Sequence, residues 1–145
     1  MTFNDRVETY IKRIEGVLDR WLPAESVALG DSLGRVLAAD VCSGADLPPF
    51  DRAAMDGFAV AADDGASEFR ILETVAAGIE PSRPVGRGEC VRIMTGAMLP
   101  PGTGRVIRKE YAEEKDGTIR LLAPESGSNV VPRASNLRRG DALLG

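Results

Sequence analysis

Two aspartates, Asp51 and Asp56, lie within the stretch FDRAAMDGFAV, residues 50–60, among small residues and directly after Pro48-Pro49. A carboxylate so placed has two uses. It can close a turn on nearby backbone amides, as Asp does in Asx turns and in Asp-Gly pairs. It can also face a cleft and hold a hard cation such as Mg²⁺, which takes oxygen ligands and keeps several waters. Spacing alone leaves both open.

Three further stretches carry polar chemistry. In GECVRIMTGAMLPPGTG, residues 88–104, an apolar run meets Thr95-Gly96. A hydroxyl beside glycine amides can bind an oxyanion, although a plain strand end explains the same residues. In RVIRKE, strand alternation puts Arg105, Ile107 and Lys109 on one side and Val106, Arg108 and Glu110 on the other. Charge on both faces predicts an exposed edge strand or a wall of a polar cleft. In PRASNLRRG, Arg133, Arg138 and Arg139 could together grip an anion, or lie in a solvated turn.

Composition narrows the chemistry. The 145 residues contain no histidine, which removes His-based triads and histidine metal ligation. The two cysteines, Cys42 and Cys90, have no metal-ligand spacing and read as buried, reduced thiols. A net charge of −4 argues against a nucleic-acid binder. The N-terminus is too charged for a signal peptide, and no apolar run approaches the ~20 residues a membrane span needs. A cytoplasmic protein without membrane association is expected.

The elements that must position these residues fall into two kinds. From Thr2 to Trp21, apolar residues recur at three- and four-residue steps (Val7, Tyr10, Ile11, Ile14, Leu18, Trp21, Leu22), predicting an amphipathic helix that covers its own core. Thr2-x-x-Asp5 reads as its capping box, and Pro23 closes it. An extended ESVALG then leads to a brief helix capped by Asp31 and carrying Leu33, Val36 and Leu37. Beyond Val41, alternation takes over. GFAVAAD, EFRILETVAAG, ECVRIMTG and GRVIRKEYAEE read as strands, EEKDGTIRLL as a hairpin turning on Asp116-Gly117, and SNVVPRAS as an edge piece limited by Pro132. The apolar Leu143 and Leu144 at the end of the chain predict docking or a chain that continues. The fold class is mainly β with an N-terminal α-helical lobe (α+β). Its lobes are residues 1–41 plus 140–145, and the β-rich 42–139.

Taken in order, LPPFDRAAMDGFAV, GECVRIMTGAMLPPG, a strand ending in Glu110 and an arginine-rich turn before RRGD resemble the N-terminal region of the molybdopterin molybdenumtransferases, the MoeA family that includes the E domain of gephyrin. The resemblance covers roughly residues 26 to 145. It implies irregular, coiled β-sheets facing a shared active site, and insertion of molybdenum from molybdate into adenylylated molybdopterin with Mg²⁺ and release of AMP. It implies catalytic roles for Asp56, Thr95 and Glu110, with Asp56 as the metal ligand. It further implies that Asp51, Gly57, Gly96, Arg133, Asn136 and Arg138 line the cofactor-binding wall. A homodimer is implied, completed by a pterin-binding domain supplied elsewhere or in trans, without which this polypeptide is not expected to be active alone.

The departures from that pattern are local. Arg52 and Ala53 stand where the family has Asn and Ser, Phe58 replaces Tyr, and GTGRVI replaces GADAVV, losing an acid and gaining Arg105. Ser135 and Asn136 stand where the arginine-rich motif has two acids. With carboxylates lost, Mg²⁺ affinity is expected to weaken. An alternative of another class follows: a non-catalytic dimerisation or anion-binding module using Arg105, Arg108, Arg133, Arg138 and Arg139.

Overall fold

The computed structural model describes residues 3–21 and 23–145, and divides the chain into two compact units, residues 1–40 with Gly145, and residues 41–144.

The first unit holds helix α1, Phe3–Trp21. The proposed cap residue Thr2 lies outside the described residues, as does Leu22. The helix forms as expected, but the described part of its apolar stripe stays uncovered within its own unit: Val7, Tyr10, Ile11 and Ile14 are all exposed, as is Val17. The helix therefore does not cover a core of its own unit as expected. The Asp31-capped helix is also absent. A 3-10 turn spans Leu29–Asp31, the chain reverses near Gly34 at φ +79°, and Leu33 and Val36 are exposed. Asp31 ends a turn rather than starting a helix, because glycine in the left-handed region breaks the helical path three residues later.

The second unit is built from β1 (Val41–Cys42), β2 (Arg52–Ala53), β3 (Gly57–Val60), β4 (Glu68–Val75), β5 (Glu89–Ile93), β6 (Arg105–Arg108), β7 (Ala112–Lys115), β8 (Thr118–Leu121), β9 (Val130–Val131) and β10 (Ala142–Leu144). Six of them form one mixed sheet in the order β6-β3-β5-β4-β8-β7, in which only β4 and β5 run parallel. Two short antiparallel ribbons, β1-β10 and β2-β9, complete the unit. The apolar end of the chain is thus paired as β10, although Leu143 and Leu144 remain exposed. Cys42, on that ribbon, is exposed rather than buried; Cys90 is buried as expected, and burial pushes its thiol up to about 12.

The sheet is apolar on both faces. Ala59, Val91, Ile93 and Val106 point into one cluster with Val75 and Leu99. Their neighbours Phe58, Val60, Cys90 and Ile107 point into another with Phe69 and Ile119. A strand covered on both sides reads as a continuous apolar run, and β3 is buried along its whole length. This corrects the reading of RVIRKE. The strand is an edge, but its centre, Val106 and Ile107, is buried on both faces, and its charges sit at its ends. The edge is sealed as well: Val106 donates its amide to the Ser128 carbonyl at 2.8 Å, and Asn129 Nδ2 donates to the Val106 carbonyl at 2.8 Å. Alternation stops at Arg108, where a 3-10 turn, Lys109–Tyr111, carries Lys109 and Glu110. The Asp116-Gly117 hairpin forms as expected, with φ +50° and +76° at the two central positions.

Candidate active site

Glycine at position 57 brings the first residues of the site together. A Cβ there would overlap the Ile107 carbonyl, so only glycine lets β6 pair this closely with β3. That pairing sets Gly57 opposite Arg108, and the Lys109 amide donates to the Asp56 carbonyl at 3.2 Å. Antiparallel β5 lies on the other side of β3, so its end delivers Thr95 to the same corner.

There Asp56 Oδ1 accepts two hydrogen bonds from one residue, the Thr95 amide at 2.8 Å and the Thr95 hydroxyl at 2.7 Å. The Thr95 hydroxyl, then its amide, with Lys109 adding charge, hold the Asp56 carboxyl below its ordinary value, so it is ionised at neutral pH. Among the described residues Oδ2 has only the Lys109 ammonium nearby, at 3.9 Å. Neither the local turn at Asp56 nor an oxyanion cradle at Thr95-Gly96 is what forms. The Thr95 donors are spent on Asp56, and the Gly96 amide, at φ +84°, donates to the Ala53 carbonyl at 2.9 Å. Glu110 is exposed on the turn beside Lys109 and is not brought onto Asp56 or Thr95.

The remaining expected residues form a second corner. Asp51 Oδ1 accepts the Arg133 amide at 2.7 Å. Asp46, which sequence reasoning passed over, accepts Arg133 Nε at 2.7 Å and the Arg139 amide at 2.9 Å. The Arg139 amide first, and then the Arg133 guanidinium, lower its carboxyl below the ordinary value. Asn136 contributes its amide to the Leu47 carbonyl at 2.9 Å, its side chain exposed, and the Arg138 amide caps Asp141 at 2.8 Å. Pro48 is buried here and its carbonyl accepts the Ala134 amide at 2.9 Å, so Pro48 anchors the returning arginine loop.

Three arginines of the anion-binding alternative are already engaged. Arg105 Nη2 donates to the Asp64 carbonyl at 2.6 Å, Arg133 pairs with Asp46, and Arg108 pairs with Glu125 while stacking 4.1 Å from the Tyr111 ring centre. Asp46 and Glu125 are site-building residues that sequence reasoning missed, and Lys109 enters the site from a turn rather than from the strand face expected of it. Each acts across a long sequence separation or through a turn, where no periodicity points to it.

The model of the MoeA N-terminal region (domain I and II) matches residues 3–145. The chain belongs to the MoeA N-terminal region family. The match includes α1, so it reaches further toward the N-terminus than the motifs alone suggested. Relatives agree. The molybdopterin molybdenumtransferase of Staphylococcus aureus (strain Mu50) is 37% identical over 131 residues, and that of Synechocystis is 39% identical over 119. These alignments cover 85% and 78% of this chain but 31% and 30% of the relatives, so the chain spans about a third of their length. Two crystal structures of a molybdopterin biosynthesis MoeA protein from Pyrococcus horikoshii superpose with TM-scores of 0.72 and 0.71, at 35% and 34% identity. They cover 83% of this chain and 33% and 34% of theirs.

The donor set allows one kind of metal site. No group of three His, Cys, Asp or Glu side chains assembles among the described residues. Mg²⁺ held largely by water and phosphate needs only one or two carboxylates, and Asp56 Oδ2 could supply one. Among the described residues no helix is long and apolar enough to cross a membrane.

Proposed function

We propose that this MoeA-family chain supplies one wall of a molybdenum-insertion site, on which molybdate meets adenylylated molybdopterin held by a pterin-binding domain. The bond pair from Thr95 to Asp56 Oδ1 carries the reading, because it fixes one carboxylate oxygen and leaves the other with only the Lys109 ammonium near it among the described residues. Thr95 orients Asp56 and keeps it ionised. Asp56 Oδ2 is then a ready ligand or acceptor at neutral pH. Mg²⁺ bound there would polarise the phosphoanhydride whose cleavage releases AMP. We assign Glu110, exposed on the neighbouring turn, and Arg138, at the second corner, to the same wall. Such a role places the chain in the cytoplasm.

The test is complementation. The purified chain is mixed with a MoeA-type protein whose N-terminal lobe is disabled, and AMP release and molybdenum insertion are followed. Activity restored by the native chain and lost with Asp56→Ala, at unchanged folding, is the expected result. Equal activity with Asp56→Ala would remove the carboxylate from the role.

The uncovered stripe of α1 supports a second reading that is compatible with the first, a homodimer paired through this helix. Light scattering on the native chain and on Ile11→Glu checks it, with a dimer expected only for the native chain.

A further inference from the structure

Resting on the reading of Asp56 as a metal ligand, we propose that Lys109 is a tethered cation that competes with a divalent metal for Asp56 Oδ2, so that metal binds this wall only as Lys109 swings away.

The geometry leaves little else for Lys109 to do. Its backbone is fixed to the aspartate it faces, through its own amide on the Asp56 carbonyl and through Arg108 opposite Gly57. Arg108 is itself held, since its amide and guanidinium both donate to Glu125, whose side chain is only 2% exposed. The stem of Lys109 therefore starts from a rigid point, while its side chain is 61% exposed and its ammonium meets Oδ2 at 3.9 Å, too long for a hydrogen bond. A loose contact of this kind can be displaced, yet a tethered charge is present at high effective concentration whatever the solution holds. The other carboxylate oxygen offers no alternative, because Thr95 occupies it twice. A divalent ion at Oδ2 would sit within a few ångströms of the ammonium unless the side chain moved, and like charges that close repel even in water.

Mn²⁺ serves as the probe, titrated into the full chain while paramagnetic broadening of the Thr95 and Gly57 amides is read by NMR. Lys109→Met should reach half-broadening at a Mn²⁺ concentration lower by about two- to fivefold. Lys109→Arg, which keeps the charge, should titrate like the native chain, and Asp56→Asn should abolish the broadening in either background. Equal midpoints for the native chain and Lys109→Met, with Thr95 still broadened, would overturn the competition and leave the metal reading of Asp56 standing. No broadening at Thr95 in any variant would overturn both. Metal-free spectra of each variant confirm that the corner is folded.

Discussion

The two corners of the β-rich unit use the same device to different ends. Around Asp46 and Asp51, carboxylates take the Arg133 and Arg139 amides and the Arg133 guanidinium, and both Asp46 oxygens are used. Around Asp56, Thr95 takes one oxygen and the other faces only a loosely placed ammonium. Exposure separates them too, with the Asp46 side chain 19% exposed and that of Asp56 42%. A carboxylate whose acceptors are all consumed is a staple. One that is oriented through half its acceptors is available for chemistry. Their difference lies in the unspent oxygen, and it shows why two aspartates of one loop region, Asp46 and Asp56, have unlike roles.

The comparison can be broken most forcefully at Gly57. Gly57→Ala should destabilise the unit by about 1–3 kcal/mol, because β3 and β6 must part where a Cβ meets the Ile107 carbonyl. Denaturant unfolding should show that loss, and the Thr95 and Lys109 amide resonances should shift while those of Arg133 and Arg139 stay.

Next comes a pair of substitutions. Asp46→Ala should lower the Tm clearly, since it unpairs Arg133 and frees the Arg139 amide. Asp56→Ala should change the Tm little, because water reaches its donors. Equal Tm losses would erase the distinction between staple and open site.

Acid sharpens the same contrast. Both carboxyls lie below their ordinary value of 3.8 in the folded chain, so each contributes stability above that value. The contribution falls away as pH drops through 3.8 toward the folded values. Asp46→Asn should therefore flatten the acid limb of a Tm-against-pH curve, by difference from the native chain. Other lowered carboxyls, such as Asp64 and Glu125, will still shape the remainder.

A smaller effect is expected at Ala134, which sits at φ +57° in the arginine loop. Ala134→Gly should stabilise by about 1 kcal/mol, since only glycine occupies this region without strain. The smallest concerns anions. With Arg133 committed to Asp46, molybdate could act only through Arg138 and Arg139. A concentration equal to its Kd would add about 0.4 kcal/mol, in a salt-sensitive way. A flat melting temperature up to millimolar molybdate would leave the second corner purely structural.

Local signals accounted for much of this molecule. Alternating or short apolar runs placed β3, β4 and β5, Asp116-Gly117 placed the hairpin, and three- and four-residue steps placed α1, because each depends on neighbours within one element. The same logic failed at Asp31, where Gly34 redirects the chain, and at Lys109 and Glu110, where a turn replaces the end of a strand. The long motifs around Asp56 and Thr95 marked the family from residue order alone. The sequence by itself thus determined the β-rich class, the family and the residue types available for chemistry. Only the tertiary structure decided which carboxylate is spent and which is open. Asp56 meets Thr95 across 39 positions and Asp51 meets Arg133 across 82, through sheet register and loop return. Hydrogen-bond supply at such separations is set by three-dimensional packing, and no local pattern of residues records it.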